Sequence, residues 1–430
     1  MTTPRKSDSA GKPAASQDRS VLTVPRRWLF GGFALLLLPW VIVAALYTQQ
    51  SPPPMGVGGA APNGPSRPAS SGPWGRLTVT PIIVSPPLEY VAADWGRLGS
   101  NEYRWYFPGT SPDVLRAFLS STGLTSDQIA RLEATAKPDE RIRGLTLAPD
   151  LDLLRGLTPE VRSRLYTQLA RTHLNSDQAN SFRFFGGTAD AWLAHSLISP
   201  QTRAVIEPLI YRDGDIMHFA DAEVVLDHVS DPAERQKLAK VLLRQPTMLV
   251  RLAVDASSEV AALAEYWGRG GRSTDVRPLL ESVAAPGDDA EIDIIHLLPA
   301  FARNRLYRYP RLTAEDLNKP ALVNCLWTSL NFFNENPDDR FLDLGASLTE
   351  LKTNYYIVES NYQLGDVIAL LDGEGDLFHV VVYLADDLVF TKNGTSPVAP
   401  WTIMPLQRVK DYYRNQSQDP RLIYHRRNIF

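Results

Sequence analysis

Trp28 to Tyr47 (WLFGGFALLLLPWVIVAALY) is a run of 20 residues without a charge, enough to cross a bilayer core of roughly 30 Å as one helix. Nothing else in the chain restricts its folding so strongly, because a segment this apolar must leave water. A secretory signal would have a shorter apolar core and a small-residue cleavage site, and the Ala44-Ala45 pair is what that alternative rests on. Pro39 is expected only to kink a membrane helix. Arg5, Lys6, Lys12, Arg19, Arg26 and Arg27 precede the run against Asp8 and Asp18, and the first charge after it is Arg67. The positive-inside rule therefore makes residues 1–27 a cytoplasmic tail and 28–47 a transmembrane helix with the lipid bilayer as its partner. Everything beyond Tyr47 is expected outside the cytoplasm.

Residues 51–75 hold seven prolines and six glycines with one charge, a composition that buries no core and reads, over 48–76, as a flexible linker. The 355 residues that follow (430 less 75) suffice for two or three domains. A net charge of −4 leaves no basic footprint for nucleic acid. Cys325 is the only cysteine, so no intramolecular disulfide forms. In an oxidising space a lone thiol is a liability unless buried or used.

Residues 77–285 read as a mainly helical domain of unknown role, preceded by an edge or surface strand in LTVTPIIVSPPL, where prolines interrupt β-branched residues. Ser111-Pro112-Asp113, Thr158-Pro159-Glu160 and Ser230-Asp231-Pro232 each supply a cap and an early proline before an amphipathic run. Their spacing is irregular, which argues against a solenoid. His195, His218 and His228, with Asp221 and Asp227 nearby, match no metal-ligand spacing and read as ordinary packed or solvated residues. Arg269 to Arg272 (RGGR) lacks the lysine and hydroxyl residue of a phosphate loop and reads as a hinge.

From Pro286 to the end the pattern becomes α+β. ALVNCLWTSLNFFNE reads as a helix carrying Cys325 near its start, followed by three strands, Gly365–Leu371, Phe378–Leu384 and Leu388–Lys392, in an antiparallel meander. Pro405–Tyr413 reads as a closing helix and Leu422–His425 as a last strand. A cysteine at a helix start is poised to ionise, since unpaired N–H groups stabilise a thiolate. His379, which opens a strand 54 residues after Cys325, is a candidate to take its proton.

Asn324-Cys325, Gly365-Asp366-Val367 and His379-Val380-Val381-Val382-Tyr383-Leu384 resemble the NlpC-type branch of papain-like cysteine peptidases, bacterial cell-wall hydrolases, over about residues 310–415. The resemblance implies a papain-like domain over 286–430, with the cysteine helix packed on an antiparallel sheet. It implies peptidoglycan stem peptides as substrate and, with the membrane span, a bacterial inner membrane protein facing outward. Two departures stand out. Asn324, Leu326 and Trp327 replace the aspartate, serine and glycine often found around that cysteine. The third position, commonly histidine, falls at Thr391 by spacing. Asn393, two residues on and on the same strand face, has an amide oxygen able to orient an imidazole and is favoured as the third catalytic residue; Asn393-Gly394 also fits an ordinary turn.

The expected chemistry is thiolate attack on an amide carbonyl, with His379 as base and hydrolysis of an acyl-enzyme, which calls for no cofactor and no metal. The oxyanion would be held by the Cys325 backbone N–H and a nearby donor. Trp327, Phe332, Phe333, Tyr355, Tyr356 and Trp401 are aromatics for a groove or for the core, and Ser329 lies one turn past Cys325. A catalytically inactive binding or scaffold protein and a thiol acyltransferase or deamidase are the competing expectations. The oligomeric state is not legible.

Overall fold

A computed structural model describes residues 66–88, 91, 103–185, 188–285, 290–310, 321–395, 399–414, 416–417 and 419–428. Among these residues no helix is long and apolar enough to cross a membrane. The longest, Ser273–Ala284, has 12 residues, or about 18 Å at 1.5 Å per residue, against roughly 30 Å of hydrocarbon. The α+β class therefore stands without the N-terminal transmembrane helix expected from the sequence, and the expected tail (1–27) and span (28–47) lie outside the described residues.

Residues 66–76 of the segment read as linker are folded into the structure. Arg67–Pro68 pairs antiparallel with the strand Arg76–Val84, Arg67 reaches Asp387 at 3.3 Å, and Trp74 packs edge-on against Tyr266 at 6.0 Å. Glycine and proline here shape a tight turn rather than a tether, Gly75 adopting φ 86°.

The expected helical domain over 77–285 is corrected in both directions. Ser111, Thr158 and Asp231 do cap the helices Pro112–Ser121, Pro159–Leu169 and Pro232–Leu242, each accepting a backbone N–H beyond the proline. Two three-stranded antiparallel sheets sit among those helices, in the orders Trp105–Phe107, Gly144–Leu147, Lys137–Asp139 and Phe182–Phe185, Ile216–Phe219, Tyr211–Asp213. The larger correction concerns Arg76–Val84 and Gln245–Val254, which pair along nine consecutive positions. Their inward residues Leu77, Val79, Val250, Leu252 and Val254 share one core with Leu326, Trp327 and Leu330 of the cysteine helix. Burying that alternating face against the C-terminal elements joins both ends of the supposed helical domain to them, so no boundary falls at 286. RGGR is a locked turn rather than a hinge: Arg272 donates to Leu297 O and Trp267 O at 2.9 and 2.6 Å, and Arg269 bonds Gln363.

The C-terminal sheet has six strands in the order Tyr355–Val358, Arg421–Arg427, Val367–Leu371, Leu377–Ala385, Leu388–Lys392, Trp401–Pro405, with antiparallel neighbours throughout. One face, through Val367, Val380, Val382, Leu388 and Phe390, covers the cysteine helix. The other, through Ile368, Leu370, Val381, Val389 and Met404, is covered by the helix Leu406–Tyr412 and Tyr413. Gly365-Asp366 anchors the sheet. Gly365 holds φ 89°, a β-carbon there would lie 2.0 Å from the Phe333 ring, and Asp366, 1% exposed, takes Arg426 Nε and Nη2 at 2.8 and 2.7 Å.

Candidate active site

Cys325 opens a helix of only six residues, Cys325–Leu330, shorter than the expected 15-residue run, because Asn331 leaves the helical register to bind Asp338 through both its amide and its oxygen at 3.2 and 2.7 Å. Asn324 is the N-cap, its Oδ1 accepting Trp327 N–H at 2.9 Å. The helix is fixed from two sides: Trp327 Nε1 donates to Asp339 at 3.0 Å, and Thr328 Oγ1 accepts Trp401 Nε1 at 3.0 Å. Trp327, Phe332 and Trp401 are core residues, and Ser329 is buried at 2% exposure within the helix packing. Of the expected aromatic groove, Tyr356, exposed at 49% on an edge strand, and the half-buried Phe333 keep accessible surface.

The half-buried Cys325 thiol has its pKa raised by burial, against the opposing pull of the Val380, Leu326 and Cys325 N–H groups and the Lys392 charge. A six-residue helix contributes little dipole, and desolvation wins. The group is a neutral thiol at rest, not the thiolate expected from a helix start.

His379 is buried, at 1% exposure, and its ring stacks on Tyr413 at 4.2 Å and 30°. Burial lowers its pKa to about 3, with only partial opposition from the Asn393 amide. Its Nε2 lies 3.1 Å from Thr391 Oγ1, and Thr391 Oγ1 in turn donates to Asn393 Oδ1 at 3.1 Å. Because the single hydroxyl hydrogen of Thr391 is committed to Asn393, its oxygen accepts Nε2–H. The network thus assigns the Nε2–H tautomer and leaves Nδ1 with a lone pair. Thr391 is therefore a direct partner of the imidazole, and Asn393, favoured from the sequence, both takes the Thr391 hydroxyl and acts on the imidazole itself. Asn393 Nδ2 also reaches Met404 Sδ at 3.7 Å.

Cys325 and His379 are not joined by a hydrogen bond. Register explains the gap. His379 pairs with Leu370 and shares its sheet face with Leu370 and Val381, whereas the cysteine helix packs on the face of Val380 and Val382. The thiol meets the strand at the Val380 N–H, the residue next to His379, and the Tyr413 hydroxyl feels the charge of an ionised Cys325.

Lys392 went unread in the sequence. It is fully buried, its Nζ donates to Gly394 O at 3.0 Å and sits 5.8 Å from the Trp401 ring centre. Burial lowers its pKa to about 7 while Cys325 pulls it back up. Alternation along LVFTK could have found it, since Lys392 shares a face with Phe390 rather than with Thr391. Among the described residues no group of histidine, cysteine and carboxylate side chains is arranged to hold a metal. Comparison with protein-family models, with curated proteins and with solved structures gave no match.

Proposed function

We propose that this chain is a cysteine hydrolase of amide bonds in which Cys325 is the nucleophile, His379 its base, and Thr391 with Asn393 the groups that orient the base. The observation that carries this reading is the Asn393–Thr391–His379 relay, which places the imidazole proton on Nε2 and frees Nδ1 to accept the thiol proton. With thiol and imidazole both neutral at rest, no preformed ion pair is needed: once the two groups come within reach, the proton moves as Sγ attacks the carbonyl carbon. The new C–S bond replaces the C–N bond, His379 returns the proton to the leaving amine, and water then cleaves the thioester to free acid and thiol. Lys392, cationic below its pKa of about 7, favours negative charge at Sγ as the proton leaves.

Peptide stems of peptidoglycan are the substrate class that the resemblance around Cys325, Gly365-Asp366 and His379 supplies. The test is product analysis of peptidoglycan fragments incubated with the protein. A newly exposed amine and carboxylate, absent with Cys325→Ala, is the expected result; transfer of the acyl group to an added amine in place of water would favour the acyltransferase reading. One observation favours a non-catalytic binding protein instead, namely the missing thiol–imidazole hydrogen bond together with the 1% exposure of His379. Unchanged fragments would decide for it.

A further inference from the structure

The face of the six-stranded sheet that carries His379 is closed by a contact with the middle region. Tyr413, the residue after the helix Leu406–Tyr412, lays its ring on the His379 imidazole at 4.2 Å and 30°, and its hydroxyl takes the Gly394 N–H. One side chain therefore spans the relay from the imidazole to the residue beyond Asn393. With that ring in place His379 is shut off from solvent.

Tyr413 is held from outside the sheet. Arg183, on the strand Phe182–Phe185, donates Nη1 to Tyr412 O at 2.9 Å and is itself fixed by Nη2 on Ala179 O at 3.3 Å. Its guanidinium carbon lies 5.1 Å from the Tyr412 ring centre, within cation–π range. A second grip comes from the turn between Tyr211–Asp213 and Ile216–Phe219, where Asp213 reaches Arg414 at 3.9 Å and Asp215 reaches Arg408 at 3.3 Å. Gly214, at φ 58°, brings that turn against Arg414, whose Nη1 would lie 2.8 Å from a β-carbon there. Arg408, Tyr412 and Arg414 place these grips on both sides of Tyr413 in sequence.

The grip can be released. Both ion pairs are partly solvent-exposed, and such pairs contribute little and are screened by salt. The ring also has somewhere to go: Tyr413 borders a cavity of 1120 Å³ whose lining includes Arg183, Asp213, Tyr412 and Arg414, whereas a side chain packed solidly on all sides has no second position. We propose that the middle region is an autoinhibitory clamp on the candidate active site: through Arg183, Asp213 and Asp215 it holds Tyr413 over His379, and its withdrawal turns the ring into the cavity and uncovers the imidazole. The sealed imidazole is then a closed state of an enzyme rather than the mark of an inactive one. Only the role of His379 as base is taken from the hydrolase reading.

The test is modification of the full chain by diethyl pyrocarbonate, which acylates accessible neutral imidazoles, with each histidine followed by mass spectrometry. The exposed His173, His195 and His296 are internal references, and His425, buried in the same sheet, reports on the fold. Tyr413→Ala sets the rate of an uncovered His379. In the unsubstituted chain His379 should react far more slowly than the references. Arg183→Gln, the double variant Asp213→Asn with Asp215→Asn, and about 1 M NaCl should each raise its rate at least about tenfold while His425 stays protected. The double variant leaves Arg183 in place, so a folding failure of Arg183→Gln does not remove the test. A His379 rate equal to the references in the unsubstituted chain, protection that survives Tyr413→Ala, or a rate unmoved by the double variant and by salt would each overturn the clamp. Modification of His425 in step with His379 would overturn it too, since the contact would then hold up the whole sheet rather than one cover. Uncovering of His379 without hydrolysis of peptidoglycan fragments would refute the enzyme reading alone, and hydrolysis at a rate indifferent to these variants would refute the clamp alone.

Discussion

Thr391 is where the residue scale is decided. Its hydroxyl lies 3.1 Å from the His379 imidazole, and it passes its own hydrogen to Asn393. Thr391→Val keeps shape and removes the acceptor, so turnover should fall about 10- to 100-fold with Thr391→Ser restoring most of it; steady-state rates for the two variants check this. Burial gives a second expectation. His379 and His218 both have pKa values lowered to about 3, below the ordinary 6.5 of an unfolded histidine, so the unfolded chain binds more protons. Stability should therefore hold above pH 6.5 and fall between pH 6.5 and 3, by on the order of 4 kcal/mol per histidine. Urea unfolding across that range should show a shallower fall in His379→Gln. The sequence placed His379 and Asn393 near one another but not their order, because alternation fixes a face and cannot say which hydroxyl or amide makes contact. It read Cys325 as ionisable because a helix start is local and legible, whereas the burial that outweighs it is tertiary.

At the scale of elements, the meander 365–392 was legible almost residue for residue, since Asp- and Gly-rich turns punctuate strongly apolar runs. The cysteine helix was not. ALVNCLWTSLNFFNE has helical periodicity throughout, yet Asn331 trades helix for the Asp338 contacts, a choice made by residues outside the window. Gly365-Asp366, which carried part of the family resemblance, has a structural reason to be there. Asp366→Ala would leave Arg426, only 14% exposed in its side chain, without its bidentate partner, and is expected to cost about 3–5 kcal/mol in chemical denaturation. Gly365→Ala meets both a positive φ and the Phe333 ring, and should cost about 2 kcal/mol or more.

Over the whole molecule, the reading of two successive domains fails at a nameable place. Met248 to Val254 alternates inward and outward along a strand that pairs with Arg76–Val84, and that pairing joins parts of the chain some 170 residues apart, beyond the reach of any local pattern. The C-terminal sheet and the cysteine helix consequently rest on a core built from both regions. A fragment of residues 286–430 is expected to lack a cooperative thermal transition, and one of residues 66–430 to keep it; calorimetry of the two decides, and independent folding of the shorter would contradict the shared core.

The central claim, that His379 takes the proton of Cys325, is tested most directly by the pH dependence of Cys325 alkylation by iodoacetamide in the full chain. A neutral thiol served by a neutral imidazole whose pKa lies near 3 should react at a rate nearly constant from about pH 5 to 8, and at least about 100-fold faster at pH 6 than in His379→Ala. An unassisted thiol with a raised pKa would instead react about tenfold faster with each pH unit across that range. That slope in the unsubstituted protein, left unchanged by His379→Ala, would contradict the account.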